Sequence, residues 1–204
     1  RAFNFGFNFA GYSQAYLDAL AAKLHGGKGA ILLGITPRSL TPLNMRVSTF
    51  EEESERSAYE QFQQQHMSGF FEATRPFQVS AVIAQLRGQQ FLRNHYAIGF
   101  MSLELVPPIP DQDLPTYKKV FKNNAVSQPH IDALIARTAV WRSSGIRVLG
   151  FSPPVSPAIA EAEKQSGFDL ASFIARFEAA GGRWIVNGRS DYLLADGSHL
   201  FASE

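Results

Sequence analysis

Apolar residues fall into two kinds of run along the chain, and their alternation predicts an α/β fold. Phe3-Asn4-Phe5-Gly6-Phe7 is short and aromatic, followed by a polar turn, and reads as a strand over residues 3–7. Tyr16, Leu17, Leu20 and Leu24 recur at helical spacing after Ser13, with Gly26-Gly27 as the stop. Residues 30–35, Ala-Ile-Leu-Leu-Gly-Ile, are a continuous apolar run of strand length, the pattern of a strand covered on both faces. Strand, helix and strand over this distance predict a βαβ unit and a parallel sheet.

The same order returns later. Ser127 and Pro129 open a helix with Ile131, Leu134, Ile135 and Trp141 on its apolar side and Gly145 at its end. Residues 146–151 form the next strand. Asp169 opens a helix carrying Leu170, Phe173, Ile174 and Phe177, Gly181-Gly182 close it, and residues 182–186 give a further strand. The expected architecture is a single domain over 1–204: a three-layer α/β/α, doubly wound parallel sheet of flavodoxin-like type.

Residues 36–126 interrupt this order. Ser48 with Glu51 and Thr49 with Glu52 read as capping boxes for a polar helix through Gln65. A second helix is expected over Pro76 to Arg93, from Phe77, Ile83, Leu86 and Phe91, and Pro107-Pro108-Ile109-Pro110 marks a rigid loop. An insertion of this length is too long for an ordinary connection. It is expected to be mostly helical, to pack over the carboxyl edge of the sheet and to carry specificity.

Composition narrows the function. Apolar residues are 45% of the 204 and charged residues 18%, which is globular. Nineteen basic against 18 acidic side chains leave a formal charge of +1, unlike a nucleic-acid binder that works by neutralising phosphates. No apolar run is long enough to span a membrane. Cysteine is absent, which excludes disulfides, thiolate metal sites and cysteine nucleophiles. His66, His95 and His130 have no carboxylates at ligand spacing, so no metal is assigned. The glycines of His25-Gly26-Gly27-Lys28-Gly29 follow a helix instead of opening one, and fit a helix C-cap better than a phosphate loop.

The most informative segment is Asp196-Gly197-Ser198-His199, beyond the final strand. A carboxylate three residues before a histidine can orient the imidazole and leave it free as a general base towards a serine. The alternative is a plain Asp-Gly turn with a surface histidine. Gly11, at a strand-to-helix corner, could bring a backbone N–H to an oxyanion, or could simply ease the turn. Ser13 reads as a helix cap, the role serine usually has at such a position, with substrate contact as the alternative. Arg38, just past the second strand, could face substrate or pair with an insertion carboxylate.

The order βαβ, long insertion, α, β, α, β and terminal Asp-x-x-His resembles the SGNH (GDSL-like) hydrolase superfamily, over most of the chain. Its extracytoplasmic branch, associated with acyl transfer to surface polymers, is the nearest likeness. Asn4-x-Gly6 with Gly11 looks like the family's oxyanion block, and Phe151-Ser152-Pro153-Pro154-Val155 like its strand-end turn. Asp196 and His199 match the block giving two triad members. Leu33-Gly34-Ile35-Thr36 stands where the family has an Asn, which is missing here.

The resemblance implies a serine esterase or O-acyltransferase acting on an acylated carbohydrate or small acyl ester, without cofactor, in an extracytoplasmic setting. The family's Gly-Asp-Ser nucleophile block has no counterpart before Asn4, so the nucleophile is expected upstream of Arg1 or is absent. Its strand would lie between those at 3–7 and 30–35. Without a nucleophile, the expectation becomes a non-catalytic relative that binds polysaccharide or a membrane-bound acyltransferase partner.

Overall fold

The computed structural model describes residues 11–22, 24, 29–46, 50, 57, 86, 88, 90–95, 101–106, 109–188, 191–194 and 196–200. In chain order these give α1 (Gln14–Ala22), β1 (Ala30–Gly34), a 3-10 turn (Arg38–Leu40), α2 (Pro42–Arg46), β2 (Gln90–His95) and β3 (Met101–Val106). There follow α3 (Leu114–Phe121), α4 (Gln128–Ser143), β4 (Arg147–Phe151), α5 (Pro157–Glu163), a 3-10 turn (Lys164–Ser166), α6 (Leu170–Ala179) and β5 (Arg183–Trp184). The strand expected at 3–7, the Gly26-Gly27 stop and most of the helix expected through Gln65 lie outside the described residues.

The fold is mixed α/β around a parallel three-stranded sheet of order β1-β4-β5. Ile31 pairs with Val148, Leu33 with Gly150, and Gly150 in turn with Trp184. Ile31, Leu33 and Val148 are buried in one cluster with Leu17 of α1, Leu134 and Trp141 of α4, and Phe173 and Phe177 of α6. These three helices therefore share one face of the sheet. A second, smaller hydrophobic cluster joins α3 and α5, with Tyr117, Phe121, Ile159 and Ala162 buried.

The helix ends are written locally. Ser13 Oγ accepts from the Tyr16 N–H at the start of α1, and Asp169 accepts from Ser172 N at the start of α6. Gly145 (φ 83°) and Gly181 (φ 88°) end α4 and α6 in the left-handed region. Ile146 N reaches back to Trp141 O and Gly182 N to Phe177 O, closing both as Schellman motifs.

Several expectations are corrected. Residues 90–93, assigned to a helix, belong to β2, which pairs antiparallel with β3 in a separate two-stranded sheet. Phe91 therefore sits in a strand, opposite Leu105 in register. The signal was the alternation Met101-Ser102-Leu103-Glu104-Leu105, a period of two inside a segment read for period 3.6. The insertion is thus not mostly helical among its described residues.

The run at 30–35 is not covered on both faces, because burial alternates along β1 and Leu32 is 59% exposed. An apolar run reports strand length, not the number of covered faces. The second helical layer of the expected three is accordingly not seen against β1 among the described residues. The strand at 182–186 shortens to Arg183–Trp184, and Val186 is 81% exposed. Leu170, placed on the apolar side of α6, is partly exposed, since position N1 of that helix projects beyond the core. Helices α3 and α5 were not anticipated. Their starts carry Pro115 and Pro157 in the first turn, the available signal.

Candidate active site at the carboxyl ends of the strands

Two segments, one following β4 and one at the end of the insertion, meet the terminal Asp-Gly-Ser-His turn. Ser156, five residues past β4, donates its N–H to Gly197 O at 2.8 Å, and its hydroxyl bonds Asp111 Oδ1. Asp113 donates its N–H to Asp196 O at 3.3 Å. Gly197 has φ 98°, and a Cβ there would meet Asp111 Oδ1 and Ile159 Cδ1 at 3.0 Å each. A side chain at 197 would be both strained and crowded, so glycine lets the turn lie flat against the insertion.

Within the turn, Asp196 organises everything. Its Oδ1 accepts from Ser198 N at 2.9 Å and His199 N at 3.0 Å, and its Oδ2 pairs with His199 Nδ1 at 2.7 Å. An Asx turn and an imidazole bond thus come from one carboxylate. Burial alone would raise the Asp196 carboxyl. The His199 imidazole and the Ser198 and His199 N–H groups outweigh it and hold the carboxyl down at about 2.

The bond to Asp196 raises the His199 imidazole above its ordinary value, against partial desolvation and the charge of Arg38. The pair is therefore fully formed between about pH 4 and 6.5, where the carboxylate is ionised and the imidazole protonated in both folded and unfolded chains. The imidazole is 68% exposed, so the pair matters for orientation more than for stability.

Around this pair stand residues that sequence did not single out. Ser198 Oγ lies 3.1 Å from Asp113 Oδ2, Asp196 Oδ1 and His199 Nδ1. It also contacts the Tyr117 phenol, whose pKa burial raises. Behind Tyr117 is Glu163, whose Oε1 is buried with no hydrogen-bond partner among the described residues. Burial pushes its carboxyl up to about 7. Nothing local marks Asp113 or Glu163: each is brought in from another element by tertiary packing.

The Glu163 proton is held more tightly folded than unfolded, where the group titrates near 4.5. Its stabilising contribution is complete below that value and is lost as pH rises through about 7. Glu163→Gln cannot ionise. It is expected to gain stability over the parent between pH 5 and pH 8, on the order of 2 kcal/mol, in urea unfolding curves at the two pH values.

The other expected residues are placed as follows. Tyr12, next to Gly11, donates its N–H to Ser39 O and its hydroxyl to Gly34 O at 2.7 Å, fixing buried Gly11 at the carboxyl end of β1. Arg38, on the same loop, bonds Asn44 Oδ1 through Nε at 3.3 Å and lies 5.8 Å from the Tyr117 ring centroid. It stands near enough to His199 to lower its affinity for a proton. Ser13 caps α1. Asp113, Asp196 and His199 place donor-type atoms within 4.8 Å of one another, a spacing a cation could span. Asp196 and His199 bond one another, and Asp113 bonds Ser198, so each of these atoms has a partner inside the turn.

A cavity of about 250 Å³ opens beside the turn, lined by Pro110, Asp111, Pro154, Tyr192, Leu194 and Gly197 among others. Among the described residues, no helix is long and apolar enough to cross a membrane. Compared with protein-family models, with curated proteins and with solved structures, the chain matches none of them.

Proposed function

We propose that the chain carries the general base of an SGNH-like serine esterase or O-acyltransferase, acting on an acylated carbohydrate or cell-surface polymer in an extracytoplasmic setting. The observation that carries this reading is the 2.7 Å bond from His199 Nδ1 to Asp196 at the carboxyl ends of β1 and β4. With its Nδ1 proton on the carboxylate, the imidazole keeps the Nε2 lone pair for a serine hydroxyl. Ser198 touches the other ring nitrogen and lies between two carboxylates, so it is not that nucleophile.

The order β1-β4-β5, all parallel, is compatible with one half of a doubly wound, flavodoxin-like sheet. Gly11 is held at the same edge, where it would offer an oxyanion donor. The cavity beside Gly197 gives room for an acyl or sugar group.

The test uses the natural gene product. It is expected to hydrolyse p-nitrophenyl acetate and to be labelled and inactivated by a serine-directed fluorophosphonate. A folded product that neither turns over the ester nor takes the label would replace this reading with the non-catalytic one, a module binding polysaccharide or a membrane-bound acyltransferase.

A further inference from the structure

A second carboxylate stands at the imidazole, and it comes from the insertion. Asp113 Oδ2 lies 3.1 Å from Ser198 Oγ, and the Asp113 N–H bonds Asp196 O, so main chain and side chain both grip the Asp-Gly-Ser-His turn. A hydroxyl has one proton to give. The Ser198 proton can go to Asp113 or to Asp196, while its lone pairs face His199 Nδ1 at 3.1 Å.

From this geometry we infer that Asp113 is a positioning residue for His199: it takes the Ser198 proton, turns the serine lone pairs towards Nδ1–H, and so keeps Nε2 bare. Without Asp113 the serine proton is divided between Asp196 Oδ1 and His199 Nδ1, both at 3.1 Å, and the share that points at Nδ1 favours the opposite tautomer. The insertion would then set the state of the imidazole as well as the shape of the site. That Nε2 serves as a base rests on the esterase reading above. The placement of Asp113 and its hold on the tautomer do not.

The charged groups facing His199 pull its proton affinity in both directions. Asp196 and Asp113 favour the protonated ring, and Arg38 opposes it. Tyr117 beside Ser198 stays neutral, its pKa raised by burial, and Glu163 faces the Tyr117 phenol. Removing the Asp113 charge leaves Arg38 opposed by Asp196 alone, so the imidazole should release its proton at lower pH. A carboxylate about 5 Å away in a partly solvated site shifts an imidazole by roughly half to one pH unit.

The experiment is an NMR titration of the His199 ring without substrate, its signals identified by their loss in His199→Gln. Asp113→Asn keeps an acceptor for Ser198 but removes the charge. It is expected to lower the His199 midpoint by about half to one unit and to keep the neutral ring protonated on Nδ1. Asp113→Ala removes the acceptor as well, and is expected to add population of the Nε2-protonated tautomer, read from the ring carbon and nitrogen shifts. A midpoint within about 0.2 unit of the parent in folded Asp113→Asn, or a tautomer unchanged in folded Asp113→Ala, would overturn the inference. Should Asp113→Ala not fold, the near-isosteric Asp113→Leu tests the same link, with the same added population of the Nε2-protonated tautomer expected and an unchanged tautomer overturning the inference. An inactive parent whose His199 still responds in this way would remove the esterase reading and leave Asp113 in place.

Discussion

His199→Ala in the natural gene product is expected to lose ester turnover by roughly 10³–10⁴-fold, with KM little changed and the melting temperature held. A serine hydroxyl is a poor nucleophile until a base takes its proton during attack, and alanine offers none. The side chain is 68% exposed, so its removal leaves no cavity. In the parent, turnover should rise with pH along a single limb. Its midpoint should lie above the ordinary histidine value of 6.5, because Asp196 holds the proton on the ring. Initial rates between pH 5 and pH 9 check both statements. Turnover undiminished in a folded variant would exclude the base role.

Phe177→Ala is expected to be the most damaging single truncation for stability. The ring is fully buried, stacked 5.9 Å from Phe173 and edge-on to Trp184 at 5.9 Å. The backbone closes around it. A Cβ on Gly182 would meet the ring at 2.4 Å, and one on Gly150 would meet it at 3.1 Å. A pocket shaped this closely by main chain cannot collapse to fill the gap. The cost is therefore placed at roughly 3–5 kcal/mol, a drop of about 10 °C in melting temperature. Calorimetry or urea unfolding measures it. A loss below about 1 kcal/mol would mean that the contact between α6 and the sheet is loose.

The parts of the fold legible in sequence were those specified by neighbouring residues. Ser13, Asp169, Gly145 and Gly181 begin or end helices through bonds to residues a few positions away, and all four stood out in the chain. The Asp196–His199 bond is equally local and was expected from spacing. Other features depend on what the chain meets in space. Whether Leu32 is covered, whether 90–93 coil or pair with 103–106, and whether Asp113 reaches Ser198 are decided by distant segments. The helical reading of Phe91 failed because a short apolar run fits both periods, and a partner strand decided between them. Glu163 was invisible for a related reason: an acid near the end of a helix looks solvated until another element covers it.

The turn that carries His199 is tied down across very unequal lengths of chain. The imidazole bond to Asp196 spans three residues, while the Ser198 bond to Asp113 spans 85. Closing a short loop takes tens of nanoseconds, whereas long-range closure awaits the elements between. The Asp–His pair can therefore form and break repeatedly in a chain that has not yet folded. It acquires a fixed direction only when the insertion docks and Asp113 arrives. Competence of the site is thus a late event in folding, and it should be among the first properties lost when the segment around Asp111 and Asp113 lifts away.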